Sequence, residues 1–310
     1  MNAGQLLVDG IGISLSNTGK PLYADEGITK GDLIEYFRDM APRILPYLRD
    51  RPLVMGRYPD GVTGESIIQK NVPRYFPDWV NRAEVKKRGG AIQQVICDKP
   101  ATLVYLANQA CIELHMFLSR VDSLDTPDQV VFDLDPPDGD HFDVARRCAL
   151  TLRRLLEDEL GLVTYVKTTG GKGLHVHVPL RPDDEFDPVR DFARDVAELI
   201  AANAPDELTT EQRIQNRGQR LYLDIMRNSY AQMVVAPYSP RARAGATVAT
   251  PLHWDELDDP GLSPREFTMR TIGDRLARVS DPWEGMARHR HRLAGARRQL
   301  DSLKRLLPAI

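Results

Sequence analysis

The sequence has few cysteines and no long apolar run, and both absences restrict the class of protein. Its 310 residues include three cysteines, Cys97, Cys111 and Cys148, at irregular spacing and without a CxxC pair. A disulfide framework and a zinc site are therefore not expected, and a reducing cytoplasm is the default compartment. No apolar run approaches the roughly 18 residues that a membrane-spanning helix needs.

The chain also lacks a strong excess of either charge. Its formal net charge is −3, with 42% hydrophobic and 27% charged residues, which is typical of a soluble globular protein. The length predicts two domains or one large domain. If the ligand is a nucleic acid, the basic residues must be gathered on one face of the protein.

Short apolar segments that alternate with helical ones predict an α/β or α+β fold. Thr29 is a candidate N-cap for a helix from Lys30 to about Arg49, and residues 103–114 have a helical period with His115 at its end. Strands are predicted over residues 5–15, 51–58, 65–70, 130–135, 163–168, 173–179 and 219–226. Further helices are predicted over 142–160, 187–203 and from Pro264 to the basic C-terminal end. That basic end favours a solvated surface helix over a nucleic-acid contact.

Residues 130–136, Val-Val-Phe-Asp-Leu-Asp-Pro, contain two carboxylates at the end of a predicted strand. Because strand side chains alternate, Asp133 and Asp135 point to the same face. Two adjacent carboxylates repel each other unless a cation lies between them, which indicates half of a site for Mg²⁺ or Mn²⁺. The alternative is a strand that ends in an acidic turn over 136–140, and this stretch alone favours the turn.

A glycine-rich turn follows the next predicted strand. Residues 168–175, Thr-Thr-Gly-Gly-Lys-Gly-Leu-His, offer backbone amides, two hydroxyls and Lys172 to an anion. The spacing is not that of a Walker A loop, and an ordinary hairpin is the alternative. His175 and His177 share a strand face, where two hydrogen-bonded core histidines are favoured over a metal site.

Three more residues complete a pattern. Asp224 ends the apolar run Leu-Tyr-Leu-Asp, and a third carboxylate on a neighbouring strand would complete a metal clamp. Arg241 and Arg243 have the planar forks that hold phosphate oxygens. Asp-x-Asp, the glycine-lysine turn, the lone aspartate and the arginine pair, in this order, predict a metal-dependent phosphoryl or nucleotidyl transferase.

Four motifs resemble the polymerase domain of bacterial ligase D, in the archaeo-eukaryotic primase superfamily: Val-Phe-Asp-Leu-Asp-Pro, Thr-Gly-Gly-Lys-Gly-Leu-His, Leu-Tyr-Leu-Asp and Ala-Pro-Tyr-Ser-Pro-Arg-Ala-Arg. The resemblance extends to about residue 298. It implies an RRM-like catalytic core packed against an N-terminal α/β portion, with a cleft between two sheets. We expect one primase-polymerase domain, with the N-terminal portion over about 1–120, the core over about 128–245 and a helical extension over about 250–310.

The resemblance also implies roles for the matching residues. The metal-binding and catalytic residues would be Asp133, Asp135 and Asp224. The nucleotide-binding residues would be His115, Thr169, Gly171, Lys172, His175 and Arg241. Lys20 and Lys30 would bind a downstream 5′-phosphate, although sequence alone favours ordinary surface lysines. The other DNA-binding residues would be Arg57, Ile67, Ile68, Lys70 and Arg217.

Two features depart from the family pattern. Ile67 and Ile68 stand where the family commonly has adjacent aromatic residues, on which a templating base stacks. Base–aromatic stacking contributes roughly 1–3 kcal/mol per base, so template handling should differ here. Thr169 and Gly171 stand where serines are common, which removes one hydroxyl.

The implied reaction is template-directed addition of a nucleotide to a DNA 3′-hydroxyl in end joining or short gap filling. The resemblance implies two Mn²⁺ or Mg²⁺ ions and NTP or dNTP substrates. It also implies gapped or broken DNA with a 5′-phosphate, a DNA ligase, a Ku-type end-binding protein and a bacterial, nucleoid-associated location. The alternatives are a stand-alone primase and a non-catalytic module that binds DNA ends and recruits a ligase.

Overall fold

The computed structural model describes residues 4–306, which form two compact units. Within the described residues, the first comprises 4–122, Met233–Ala249 and Phe267–Ala277, and the second comprises Ser123–Gln232, Thr250–Glu266 and 278–306. The strands are β1 Gln5–Val8, β2 Ile11–Ser14, β3 Pro21–Tyr23, β4 Ile28–Thr29, β5 Pro52–Arg57, β6 Ile67–Gln69, β7 Arg82–Lys87, β8 Gly90–Ile96, β9 Cys111–Phe117, β10 Gln129–Asp135, β11 Tyr165–Thr168, β12 Leu174–Pro179, β13 Leu208–Thr209, β14 Leu221–Asp224, β15 Met233–Val235 and β16 Pro251–Leu252. The helices are α1 Lys30–Leu48, α2 Pro100–Asn108, α3 Phe142–Arg154, α4 Phe186–Ala202, α5 Ile272–Leu276 and α6 Leu293–Leu306.

The predicted helix at Thr29 is confirmed as α1, and its start is fixed by local hydrogen bonds. The amide of Asp32 donates to the Thr29 hydroxyl, and the amide of Thr29 donates to the Asp32 carboxylate, at 3.2 and 2.7 Å. This reciprocal pair is a capping box, which satisfies amides that the helix leaves unpaired. Leu33, Phe37 and Ile44 are fully buried on one face. That face packs against α2.

The main sheet of the first unit has the order β15-β9-β5-β8-β7, with β6 paired to β5. The single strand predicted over residues 5–15 is wrong, because β1 and β2 form an antiparallel hairpin there. The chain reverses at Asp9 and Gly10, whose φ angles are 48° and 78°. Asp-Gly at that point is a hairpin signal that the loose alternation concealed.

The helix predicted over residues 103–114 is correct only in its first half. Helix α2 ends at Asn108, the chain turns at Ala110 with a φ of 55°, and residues 111–117 form β9. His115 therefore lies inside a strand, opposite Val54 of β5, rather than at a helix end. Strand β9 is buried almost throughout, and a continuous apolar run has no period that distinguishes a strand from a helix.

The second unit contains the succession β10, α3, β11, β12, α4 and β14. Its sheet has the order β13-β14-β10-β12-β11-β16, so those four strands stand in the order fourth, first, third, second. This is the arrangement of a βαββαβ fold with an RRM-like sheet. Phe132 and Leu134 of β10 are fully buried, and α3 and α4 both pack against β10. The predicted mixed fold with an RRM-like core is confirmed.

The continuous helical stretch predicted from Pro264 onward is wrong. Helices α5 and α6 are separated by turns and a short 3-10 helix at 286–288. In this segment Trp283 is buried and its indole Nε1 donates to the carbonyl of Val166, 2.9 Å away, so tertiary packing decides the local conformation. Residues 307–310 of the predicted extension lie outside the described part of the chain. No helix within residues 4–306 is long and apolar enough to cross a membrane.

Candidate active site

The three predicted metal ligands lie together on the sheet of the second unit. Asp133 of β10 is the direct partner of Asp224 on β14, and on the other side it is the partner of His175 on β12. Asp135 lies two residues further along β10, on the same face as Asp133. Adjacent strands thus bring three carboxylates to one place, as the sequence predicted.

Cationic side chains accompany these carboxylates. The Nε of Arg227 is 3.3 Å from Asp133 Oδ2 and 3.5 Å from Asp224 Oδ2. The Nζ of Lys172 is 3.1 Å from Asp135 Oδ1, and Nη1 of Arg217 is 3.7 Å from Asp135 Oδ2. Positive charge therefore already balances the carboxylates within the unit.

Asp133 and Asp224, which pair directly across β10 and β14, have pKa values that are shifted in opposite directions. Burial alone would raise the pKa of Asp133, but His175 and Arg227 outweigh it and lower the pKa to about 2. Burial, together with the negative charge of Asp133, raises the pKa of Asp224 above its ordinary value. Asp133 is held ionised, and a cation bound beside Asp224 would lower the pKa of Asp224 again.

The donor chemistry at this place fits a divalent metal ion. Three carboxylates supply the oxygen ligands that Mg²⁺ and Mn²⁺ prefer. Among residues 4–306, however, no three His, Cys, Asp or Glu side chains are already arranged to hold an ion. Arg227 is in contact with both Asp133 and Asp224, so an ion shared by these two aspartates would take over the charge that Arg227 now supplies.

The glycine-rich turn joins β11 to β12 beside the carboxylates. The hydroxyl of Thr169 accepts hydrogen bonds from the amides of Gly171 and Gly173, at 3.1 and 3.4 Å. A side chain at Gly173 would overlap the carbonyl oxygen of Leu134 on β10. Glycine is therefore required at position 173, and the turn is held close against β10, which places Lys172 beside Asp135.

The two strand histidines have different surroundings. His177 is fully buried, with Nδ1 2.9 Å from Gln129 Oε1, which agrees with a hydrogen-bonded core histidine. His175 has Nε2 3.4 Å from Asp133 Oδ1. Burial and the nearby Lys167 lower the pKa of His175 to about 4, so its imidazole is neutral near pH 7. Only His175 contacts a carboxylate of the site.

In the first unit, the structure brings His115 and Arg241 to a common partner, Glu113. Glu113 Oε1 accepts from Arg241 Nε at 2.8 Å and from the amide of Ala242 at 3.1 Å. Its Oε2 lies 3.4 Å from His115 Nε2 and accepts from the Tyr58 hydroxyl at 3.3 Å. Burial alone would raise the pKa of Glu113, but His115 and Arg241 outweigh it and hold the pKa well below its usual range.

The two lysines predicted to bind a 5′-phosphate differ in exposure. Lys20 is partly exposed and forms an ion pair with Asp60 at 2.7 Å. Lys30 is buried, where its ammonium donates to the Ser16 hydroxyl and to the carbonyl of Asn108 at 3.2 and 3.1 Å. Burial, and then the charge of Lys20, lower the pKa of Lys30. Lys30 is therefore not an ordinary surface lysine.

The other residues predicted to bind DNA fall in both units. In the first unit, Arg57 donates to Gln69, Tyr75 and the carbonyl of Gln109 within 3 Å, while Ile67, Ile68 and Lys70 are exposed. In the second unit, Arg217 stacks on the Tyr222 ring with its guanidinium carbon 3.7 Å from the centroid. Arg217 thus lies beside the Asp135 carboxylate, whereas Arg57 donates hydrogen bonds to residues of the first unit.

Sequence reasoning missed Glu113 and Arg227. Glu113 interrupts an apolar run, and a buried carboxylate requires a cationic partner, so its position was a usable signal. The partner, Arg241, is 128 residues away, and no local pattern indicates the pairing. Arg227 follows Asp224 by three residues, which places it within reach after the turn at 225–228.

Comparison with known proteins identifies the family. The family model described as "LigD, primase-polymerase domain" matches residues 29–283. The chain belongs to this family. Members of the family are nucleotidyltransferases, so the chain is an enzyme of that class, and the resemblance found in the sequence motifs is confirmed.

Full-length relatives of the family are longer than this chain. The "Bifunctional non-homologous end joining protein LigD" of Bacillus subtilis is 34% identical over 272 residues, which are 87% of this chain and 43% of the relative. The "Multifunctional non-homologous end joining DNA repair protein LigD" of Mycobacterium tuberculosis H37Rv is 33% identical over 303 residues, 94% of this chain and 40% of the relative. The chain thus spans less than half the length of either relative.

A solved structure of the family covers almost the same extent as this chain. The "Polymerase Domain from Mycobacterium tuberculosis Ligase D in complex with DNA" aligns with a TM-score of 0.83 at 31% sequence identity. The alignment covers 90% of this chain and 99% of the solved chain. The fold and the extent of the family domain therefore agree with the solved polymerase domain.

Proposed function

We propose that this protein adds nucleotides to a DNA 3′-hydroxyl at gaps or broken ends, releasing pyrophosphate. The observation that carries the proposal is the juxtaposition of three carboxylates on β10 and β14 with Lys172 of the adjoining turn. Carboxylates in this number hold the metal ions of nucleotidyl transfer, and the adjacent ammonium supplies charge for phosphate oxygens. Family membership and the DNA complex of the solved relative support the same reaction.

Asp133, Asp135 and Asp224 would hold the divalent ions. Bound ions would lower the pKa of the primer hydroxyl and neutralise charge on the triphosphate. The resemblance supports two ions, with Mn²⁺ favoured over Mg²⁺, and ribonucleotides often preferred over deoxynucleotides. Asp133, which is held ionised, and Asp224, whose pKa is raised, together form a pair whose repulsion favours a divalent ion.

The nucleotide contacts are proposed within each unit. In the second unit, Lys172 would contact the phosphates of the nucleotide. Thr169 and Gly171 shape the turn that carries Lys172. Neutral His175 would orient Asp133. In the first unit, Glu113 holds His115 and Arg241, which we propose as further nucleotide contacts. Fixed donors of this kind stabilise charge that develops on phosphate oxygens without reorganising during the reaction.

The proposed biological role is DNA repair by end joining or short gap filling. Lys20, exposed beside Asp60, would contact a downstream 5′-phosphate, and Lys30 would support the same loop from its buried position. From the family resemblance we propose a DNA ligase and a Ku-type end-binding protein as partners and the bacterial nucleoid as the location. The names of the relatives state end joining and no more. This role is tested by comparing primer extension on gapped duplexes with and without the downstream 5′-phosphate. Gap filling predicts faster extension on the phosphorylated duplex.

The reaction itself is tested by primer extension on a gapped, 5′-phosphorylated duplex with Mn²⁺. We expect extension by the wild type and loss of extension in Asp135→Ala. Asp138→Ala is the matched control, because Asp138 lies three residues further along and contacts only the turn around His141. Extension that survives Asp135→Ala would overturn the metal assignment, and no extension by the wild type would overturn the proposal.

Two alternatives are decided by related measurements. A stand-alone primase would synthesise a strand on single-stranded template without a primer, and we expect little such product. A non-catalytic end-binding module would bind the gapped duplex but never extend it. The three carboxylates favour catalysis, because they supply oxygen ligands for a divalent ion that the binding of a DNA end alone does not require.

A further inference from the structure

The first unit carries an exposed apolar patch on and beside β6. Exposed large apolar side chains in the described part of the chain are few, and three of them, Ile67, Ile68 and Tyr75, lie within nine residues of sequence. Ile67 and Ile68 are consecutive in β6 and point to opposite faces, so only one of them can share a surface with Tyr75. A shared exposed apolar surface marks an interaction site more often than isolated residues do. Tyr75 is 59% exposed.

Arg57 joins Tyr75 to the face of β6 that carries Ile67. In the β5–β6 pairing Arg57 is the direct partner of Ile67, so their side chains share a face, and Gln69 follows on that face two residues later. The Nη1 of Arg57 donates to Gln69 Oε1 at 2.6 Å and to the Tyr75 hydroxyl at 2.9 Å. Tyr75, Ile67 and Gln69 are thereby assembled around one guanidinium.

The ring of Tyr75 is also fixed from its backbone side. Phe76 is buried, and its ring packs at 5.4 Å from the Tyr75 ring and at 5.0 Å from the Tyr105 ring. The amide of Phe76 donates to the carbonyl of Pro73, which closes the turn that contains Tyr75. A ring held at its hydroxyl and at its base presents its exposed surface without further ordering when a ligand binds.

The charges around the patch indicate the chemistry of its ligand. From Ile67 to Phe76 the chain carries Lys70 and Arg74, both exposed, and no acidic residue. A fixed aromatic ring among apolar and basic side chains matches an unpaired nucleobase, whose flat face stacks while the flanking phosphates meet the lysine and arginine. An apolar peptide would have no use for the two cations.

We propose that Tyr75, together with Ile67, forms a stacking surface for an unpaired template base, with Lys70 and Arg74 facing the adjoining phosphates. This inference rests on the proposed polymerase function, because it takes the nucleic acid to be the template strand. It assigns the aromatic contact that Ile67 and Ile68 cannot make to a residue outside β6.

The test combines substitutions at position 75 with removal of the template base and compares the affinity for DNA in each combination. The dissociation constant is measured by fluorescence anisotropy, without metal or nucleotide, for a duplex with a one-nucleotide gap. The unpaired template position is either thymine or an abasic site. The proteins are the wild type, Tyr75→Leu, Tyr75→Phe and Leu7→Ala, the last being a control at an exposed apolar residue elsewhere in the unit.

Stacking predicts that Tyr75→Leu loses affinity only for DNA that carries the template base. Tyr75→Leu should weaken binding of the thymine duplex about 5- to 20-fold and leave the abasic duplex nearly unchanged. Tyr75→Phe keeps the ring and should remain within about twofold of the wild type on both duplexes, as should Leu7→Ala. No loss in Tyr75→Leu, or an equal loss on both duplexes, would overturn the stacking surface.

Primer extension measured in parallel separates this inference from the proposed function. Extension by the wild type, combined with base-independent binding by Tyr75→Leu, overturns the stacking surface and leaves the polymerase proposal standing. Absence of extension by the wild type overturns the polymerase proposal, and the comparison between thymine and abasic duplexes still decides whether Tyr75 stacks on a base.

Discussion

Removing the Glu113 carboxylate is the perturbation whose effect follows most directly from the structure. Glu113 is buried and receives hydrogen bonds from Arg241, the amide of Ala242 and Tyr58, with His115 beside it. Glu113→Ala leaves the guanidinium of Arg241, whose side chain is only 16% exposed, without its carboxylate. It also removes the acceptor of the Ala242 amide.

The magnitude follows from the burial of the pair. Breaking a buried ion pair by removing one partner costs about 3–5 kcal/mol, because the remaining charge is left uncompensated. The partial exposure of Arg241 lets its side chain reach water, so we expect about 3 kcal/mol for Glu113→Ala. Glu113→Gln keeps the shape and one acceptor oxygen, and we expect about 1–2 kcal/mol.

The assay is urea unfolding at pH 7, followed by tryptophan fluorescence and by circular dichroism together, because the chain has two compact units. Asp60→Ala is the matched control, since the Lys20–Asp60 pair is as short, at 2.7 Å, but exposed. Exposed pairs contribute about 0–1 kcal/mol. If Glu113→Ala were no more destabilising than Asp60→Ala, the argument from burial would be refuted.

The pH dependence gives a second check with a fixed sign. The pKa of Glu113 is lowered in the folded protein from its ordinary value of 4.5. Its charge therefore stabilises the fold fully above pH 4.5, and this contribution is lost as the pH falls toward the depressed value. The stability difference between the wild type and Glu113→Gln should therefore narrow as the pH falls below 4.5. A difference that widened in acid would contradict the assignment.

Three further predictions follow from single contacts. Gly173→Ala should cost about 3 kcal/mol or more in urea unfolding, because its methyl group would overlap the carbonyl oxygen of Leu134, whereas Gly139→Ala, with open space around it, should be neutral. Asn228→Ala removes three buried hydrogen bonds, two of them to β10, and should cost about 2–4 kcal/mol in the same assay. Arg227→Gln leaves the two aspartates in register without their shared cation, so Mn²⁺ should raise its melting temperature more than that of the wild type. Equal shifts with Mn²⁺ would contradict the role given to Arg227.

Elements with local signals could be predicted from the sequence. Helix α1 was predicted because Thr29, a favoured N-cap residue, precedes an apolar helical period. Strand β10 was predicted because its β-branched and aromatic run ends in acids and proline. Strand β9 was not predicted, because a run that is buried on both faces has no characteristic period. The helix predicted at α2 was therefore continued into the residues of β9.

The site could be predicted only where its residues are close in sequence or carry a family motif. Strand alternation alone places Asp133 and Asp135 on one face. Their contact with Asp224 depends on the order of the strands in the sheet. The motifs indicated that order, whereas the hydrophobic periodicity did not. The pair between Glu113 and Arg241 depends on contacts across 128 residues. The burial of Lys30 likewise depends on Ser16 and Asn108, which no local pattern connects to it.

The central claim is that the carboxylates of β10 and β14 carry out nucleotidyl transfer. The most direct measurement is single-turnover incorporation of one nucleotide into a gapped, 5′-phosphorylated duplex with Mn²⁺, by the wild type and by Asp133→Asn. The variant keeps the size of the side chain and removes one metal-binding charge, and a loss of several kcal/mol in transition-state stabilisation corresponds to a rate at least about 100-fold lower. A wild type that incorporates no nucleotide, or an Asp133→Asn variant that matches its rate, would contradict the account.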